Sequence, residues 1–227
     1  MSVPLLDLQR QYLSMKQEID DAVMRVVAAQ RFILGGEVEA LEAAIGGYVG
    51  SKHAIGCASG TDALLLSLKA LPLQPGDEVV VPSFTFFATA GAVWNAGFKP
   101  VFADIDPVSF NMTAANIEAA LTPATRAVIV VHLYGQMAPM APIMELAARH
   151  NLFVIEDAAQ SIGAPLTTEA LRETLPTFRE TPDFAVGRND VVLFAGATWI
   201  EGDASREGNN ESGPDRQDRA CRGPVLL

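Results

Sequence analysis

Residues 154–161 read Val-Ile-Glu-Asp-Ala-Ala-Gln-Ser. A short apolar run breaks into two carboxylates, Glu156 and Asp157, then two small residues, then an amide at Gln160. A strand that ends in a carboxylate at its C-terminal edge stands where an open α/β sheet receives its ligand. Ala158 and Ala159 let a flat ligand approach the backbone, while Asp157 and Gln160 offer an acceptor and a donor. The same letters also suit a plain strand followed by a helix that Asp157 caps. What surrounds the stretch decides between the two.

Outward from it the chain alternates. HAIGCAS (53–59), GDEVVVPSF (76–84), KPVFADI (99–105), RAVIVVHLYG (126–135) and NLFVIED (151–157) are strand-like, rich in β-branched residues. Between them TDALLLSLKAL, FFATAGAVWNAG, TAANIEAAL and APIMELAARHN have helical spacing, with Thr113 as a cap, Gly97 as a stop and a proline in the last helix's first turn. Strand–helix–strand repetition with apolar strands predicts a mostly parallel sheet with helices on both faces, an α/β fold. Ahead of it, Leu8, Tyr12, Met15, Ile19, Val23 and Val26 recur at three- and four-residue steps and predict a long amphipathic helix that Asp7 caps. A glycine break precedes a second helix over about 37–45, expected to end at Gly46-Gly47. Past Gly163 the character changes. Residues 166–227 contain no lysine, only DVVLFAGATWI there looks strand-like, and the last stretch is polar and glycine-rich. The expected division is a major domain over 1–165 and a divergent tail over 166–227, partly disordered in composition.

Composition narrows the function. With 27 acidic against 16 basic residues the net charge is −11, which argues against a nucleic-acid or anionic membrane surface. The run 127–131 is far short of the ~20 apolar residues of a membrane helix, and the first residues show no secretory signal. Cys57 and Cys221 give neither metal spacing nor a disulfide framework, so a cytoplasmic protein is expected.

Three further groups share the strand ends with Asp157. Ser59-Gly60-Thr61-Asp62 joins a strand to a helix; glycine permits close approach, and the helix N-terminus presents free N–H groups, a phosphate cradle without lysine or else an ordinary cap. Phe84, Phe86 and Phe87 follow the VVV strand; one could stack on a planar heterocycle, whereas core packing is the expectation for Phe84 and Phe87. His132 and Tyr134 end a buried strand on the same edge. Phosphate cradle, aromatic ring and acid–amide pair together match pyridoxal phosphate, because a carboxylate facing the ring nitrogen keeps it protonated and makes the ring an electron sink.

The blocks VPLLDL, RFILG with VEALE, SGTDAL, GDEVVVPSFTFFAT, KPVFADID, HLYGQ and IEDAAQS, in that order over about 3–164, resemble the DegT/DnrJ/EryC1/StrS family of pyridoxal-phosphate-dependent sugar aminotransferases. The resemblance implies the large domain of a fold-type I transferase and a homodimer with its site near the subunit interface. It assigns phosphate contacts to Gly60, Thr61 and Asp62, stacking to Phe86, the ring-nitrogen partner to Asp157 and the phenolic-oxygen contact to Gln160. The implied reaction moves an amino group, usually from glutamate, to a keto sugar linked to a nucleotide. The family's pattern continues past IGA to a serine and the lysine that holds the cofactor covalently. Here no lysine follows Lys99, and Lys16, Lys52, Lys69 and Lys99 lie where the resemblance gives them no part in catalysis. The expectation is therefore no catalytic lysine in this chain and cofactor held noncovalently at most. A truncated, inactive member of the family stands as the alternative.

Overall fold

The computed structural model describes residues 7–49, 51, 53–162 and the strand segments 191–194, 198–200 and 225–226. The chain divides into two compact units, 1–41 and 42–227.

In the first unit α1 (Leu8–Ala29) begins where the Asp7 carboxylate accepts from the Arg10 N–H, as expected, and closes on Gln30 in the left-handed conformation. The periodic apolar residues do share a face, yet Leu8, Tyr12, Met15, Ile19 and Val23 all stay exposed. The expected glycine break is steric. A Cβ on Gly35 would stand 2.7 Å from the Arg31 carbonyl oxygen, so only glycine fits there. α2 (Gly36–Val49) then runs on through Gly46-Gly47 rather than stopping at them. Interior glycine costs about 1 kcal/mol against alanine. Gly46 is nonetheless buried, close to Ser51 and Ala54, and contacts there outweigh the intrinsic preference of the pair.

The second unit holds the expected parallel sheet. β2 (Glu78–Pro82), β3 (Lys99–Ala103), β4 (Thr125–Val131) and β5 (Phe153–Asp157) pair in parallel, and β8 (Val225–Leu226) adds to β5, giving the order β3-β2-β4-β5-β8. β1 (His53–Gly56) is not part of this sheet. It pairs in parallel with β6 (Val191–Phe194), which pairs antiparallel with β7 (Thr198–Ile200). The stretch expected as one strand is thus a pair. β8 falls in the stretch whose composition reads as a polar tail, and the rest of that tail lies outside the described residues.

Alternation of side chains sorts the core into two layers. Val79, Val81, Ala127, Ile129 and Ile155 pack against α3 (Gly60–Ala70) and α4 (Ala88–Ala96). Val80, Val128, Val130 and Val154 pack on the other face against α5 (Ala114–Ala120) and α6 (Met140–His150). Two of the helix starts carry their own side-chain caps. Ser59 caps α3, Thr113 and Asn116 close a capping box on α5, and Gly97 ends α4 at φ +93°. Because α4 leads from β2 outward to β3, and α5 returns past β2 to β4, the winding reverses between β2 and β4. The crevice beyond the C-terminal ends of those two strands is where such a sheet takes a ligand.

At the opposite end of the sheet Glu78 is buried and accepts from Lys99 Nζ (2.7 Å) and the Thr122 hydroxyl. These bonds hold its carboxyl below the ordinary carboxylate value, the Lys99 bond contributing most. A depressed pKa adds stability above the unfolded value that is lost as pH falls through the folded one. Glu78→Gln is therefore expected to lower stability by about 1–3 kcal/mol at neutral pH. It should also flatten the acid limb of stability against pH, as followed by thermal melting at stepped pH; an unchanged limb would remove Glu78 from that role.

Candidate functional site

The loops after β2, β4 and β5 enclose a cavity of about 290 Å³ at the winding reversal. Of the residues singled out in the sequence, Phe84, Phe86, His132, Tyr134, Asp157, Ala159 and Gln160 line it. Gly60, Thr61 and Asp62 do not. They form the first turn of α3, which packs on the Asp157 side of the sheet and leads into the N-terminal edge of β2, so it begins toward the strands' C-terminal ends. The Ser59 hydroxyl accepts from the Asp62 N–H at 3.1 Å, and the Ser59 carbonyl takes the Ala63 N–H. No hydrogen bond occupies the N–H groups of Gly60 and Thr61 among the described residues.

Asp157 closes β5 on the face of Ile155 and Val131. Among the described residues no helix follows it: residues 159–162 turn, and its carboxylate accepts just the Ala159 N–H, at 3.2 Å. The strand-plus-capped-helix alternative is corrected accordingly, a local Asx-type bond taking the place of a helix cap. Burial pushes the carboxyl above its ordinary value, the Ala159 N–H pulling back only in part. A half-buried acid with one donor is a site that a cation would complete.

His132 and Glu156 have the opposite parity and point into the other layer. The strand expected to run on to Gly135 ends at Val131, and Leu133–Gly135 form one 3-10 turn with Tyr134 at φ +57° and Gly135 at φ +83°. His132 Nδ1 accepts the Ala138 N–H (3.1 Å), which leaves Nε2–H to donate to the Glu156 carboxylate (2.9 Å). With both ring nitrogens engaged, the histidine is a structural member of the cavity wall. The Tyr134 N–H donates to Gln160 Oε1 (2.8 Å), so the Gln160 NH2 group is the end left to serve a ligand.

The aromatic residues correct another expectation. Phe84 and Phe87 are not core; Phe84 is 46% exposed and packs on Phe110 with centroids 5.9 Å apart, and Phe87 is 82% exposed against Gly91. Both lie past the end of β2, beyond the layer its valines enter. Phe86, 77% exposed, lines the cavity. No described lysine lines it, and Lys99 is engaged at the far end of the sheet. The sequence reading missed Asn111, buried at 1% exposure, whose amide bridges the Leu133 N–H and the Gln136 carbonyl. A lone asparagine beside an apolar methionine gave no periodic signal of burial. No cluster of His, Cys, Asp and Glu among the described residues could hold a metal ion, and no described helix is long and apolar enough to cross a membrane.

Residues 13–172 match the model of the DegT/DnrJ/EryC1/StrS aminotransferase family. The chain is 53% identical over 173 residues to a pleiotropic regulatory protein of Geobacillus stearothermophilus, covering 76% of this chain and 46% of that protein. It is 49% identical over 170 residues to the UDP-N-acetyl-3-dehydro-alpha-D-glucosamine 3-aminotransferase of Acidithiobacillus ferrooxidans, covering 75% and 46%. Among solved structures it resembles NtdA of Bacillus subtilis with the cofactor PMP bound, at a TM-score of 0.69 and 38% identity over 71% of this chain and 38% of that one. The chain spans about half the length of the curated relatives it matches.

The raised Asp157 carboxyl makes a signed prediction. Its ionisation costs folding free energy, so stability falls as pH rises from the unfolded carboxyl value through the folded one. Asp157→Asn keeps an acceptor for Ala159 and removes the charge. In the ligand-free chain it is expected to melt higher at neutral pH than the native protein, the gap closing in acid. Equal melting temperatures across that range would count against a strained carboxylate.

Proposed function

The chain belongs to the DegT/DnrJ/EryC1/StrS aminotransferase family, and we propose that residues 1–165 are the cofactor-binding part of an enzyme that transfers an amino group to a nucleotide-linked keto sugar. The observation that carries this reading is the half-buried Asp157 carboxylate, short of donors, at the rim of a cavity on the winding reversal of the sheet. Pyridoxal phosphate, when bound, supplies an electron sink through its protonated ring.

The residues fit that group. Asp157 would hold a proton on the ring nitrogen; at ~4 Å and an effective dielectric of about 20 such a pair is worth about 4 kcal/mol before desolvation. Gln160, its oxygen engaged by Tyr134, has no partner for its NH2 among the described residues and would offer it to the phenolic oxygen. Phe86 offers a ring face. The N–H groups of Gly60 and Thr61, with the Thr61 hydroxyl, would take the phosphate; the Asp62 N–H already donates to the Ser59 hydroxyl and would join them only by exchanging that bond. His132 and Tyr134 form the edge of the site. With no described lysine on the cavity wall, this chain would bind the cofactor noncovalently.

The same proposal takes a nucleotide sugar as substrate and glutamate as amino donor. The Acidithiobacillus relative's UDP-sugar aminotransferase name supports it. A homodimer suits the exposed Phe86, Phe87 and Tyr134 about the cavity, more aromatic surface than an isolated site needs. A cytoplasmic setting suits the free thiol of Cys57. Residues 166–227 are proposed as a divergent tail, although the family match runs on through 172, seven residues into it.

Titration of the 227-residue chain with pyridoxal phosphate, followed by absorbance, tests the reading. Saturable binding is expected. Asp157→Ala should abolish it, and Gln160→Glu, which keeps an acceptor for the Tyr134 N–H but loses the donor, should weaken it about tenfold. Borohydride reduction should leave every lysine unmodified. Binding untouched by Asp157→Ala would overturn the ring-nitrogen assignment, and one reduced lysine would overturn noncovalent binding.

A further inference from the structure

The loop that carries Tyr134 is fixed from behind by Asn111, which does not line the cavity. Asn111 Oδ1 accepts the Leu133 N–H at 3.0 Å, and its Nδ2 donates to the Gln136 carbonyl at 2.8 Å. One buried amide therefore grips the turn on both sides of Tyr134. His132, just ahead, takes the Ala138 N–H on Nδ1 and gives Nε2–H to Glu156, so the loop's two ends are tied as well. Between these ties the chain is held at positive φ at two successive residues, Tyr134 and Gly135. Such a conformation persists only where its surroundings over-determine it.

Asn111 is itself held in place. Phe110 before it stands at φ +60°, unusual for a bulky residue. Its N–H donates to the Asp106 carbonyl (2.8 Å), and the Asp106 N–H donates to the Asn111 carbonyl (3.0 Å). The Asp106 carboxylate accepts from the N–H groups of Val108 and Ser109 and from the Ser109 hydroxyl, closing the turn. The same turn presents Phe110 to Phe84. A strained, multiply bonded turn thus ends in one asparagine whose side chain is spent on the opposite loop.

We propose that Asn111 is a positioning residue for Gln160: by fixing the 133–136 turn it holds the Tyr134 N–H on Gln160 Oε1 and so keeps the Gln160 NH2 available to the bound cofactor. This rests on the cofactor reading above. The inert alternative is a buried asparagine that only satisfies two backbone groups; it would cost stability when removed but would not act through Gln160. A double-mutant cycle separates the two.

Pyridoxal phosphate affinity is measured for the native 227-residue chain, Asn111→Ala, Gln160→Ala and the double variant, with the Tyr134 amide and Gln160 side-chain NH2 signals followed by NMR in the ligand-free protein. Asn111→Ala is expected to move both signals, to lower protection of the Leu133 amide from hydrogen exchange, and to weaken binding about tenfold. In the Gln160→Ala background it should weaken binding no further. Full additivity, or both signals unmoved in Asn111→Ala, would overturn the proposal. A native chain that binds no pyridoxal phosphate would sink the cofactor reading instead, while the ligand-free signals still decide whether Asn111 sets Gln160. Should Asn111→Ala fail to fold, Asn111→Asp serves the same cycle, since it keeps the acceptor for Leu133 and loses the donor to Gln136.

Discussion

Strands β4 and β5 are locked together beyond their own ends. Their parallel ladder runs from Ala127 with Phe153 to Val131 with Asp157, and the His132 N–H extends it to the Asp157 carbonyl at 3.1 Å. The His132 side chain then joins Glu156 on one face, while Asp157 faces the other. Two adjacent carboxylates are thereby sent to opposite sides of one sheet, since side chains alternate along a strand. Glu156 finds a neutral imidazole donor and is satisfied inside the protein. Asp157 finds a single backbone N–H among the described residues and is left short of donors there. The difference in partners leaves Glu156 satisfied within the fold and Asp157 open at the cavity.

From that lock the site follows outward. The turn after β4 can adopt two positive φ angles because its flanks are tied by His132 and Asn111. Gly135 meets the Gln160 backbone, where an added Cβ would approach to 3.1 Å, so the loops after β4 and β5 pass in close contact. The aromatic wall arrives separately, from the loop after β2, and is steadied by Phe110 from the loop after β3. All these loops leave C-terminal strand ends around the reversal of winding. The geometry of a doubly wound sheet, not any one residue, brings them together.

The alternation from residue 53 to 157 was legible because each element carries its own local signal: β-branched runs for strands, Ser59 and Thr113 for helix starts, Gly97 for a stop. Asp157 and Gln160 were legible as a pair for the same reason, standing three residues apart after a strand. What sequence could not show was parity and partnership. Glu156 and Asp157 are equally acidic on paper, and only the register with β4 decides which is buried against His132. Phe84 and Phe87 look like core because phenylalanine usually is; they are surface because they fall past the end of β2. β1 looks like its neighbours, yet its partner lies far along the chain at 191–194, a pairing no local pattern encodes. Asn111 was invisible because its worth lies in two backbone groups more than twenty residues away.

A carboxylate left short of donors is a cost that folding alone would remove. An asparagine at 157 would keep the Ala159 bond and carry no charge to desolvate. Retaining an acid there is reasonable only if something positive completes it, and the cavity beside it has room for a ring-sized group but no described cation of its own. Gln160 beside it is exposed, with its oxygen spent on the Tyr134 N–H and its nitrogen without a protein partner among the described residues. Under the proposed function, that acceptor and donor, three residues apart on one turn, would suit a ligand with a protonated nitrogen at one position and an oxygen at another. Stability is given up at the Asp157 carboxylate, where binding would recover it, and the buried Ser161 hydroxyl on the same turn likewise has no partner among the described residues.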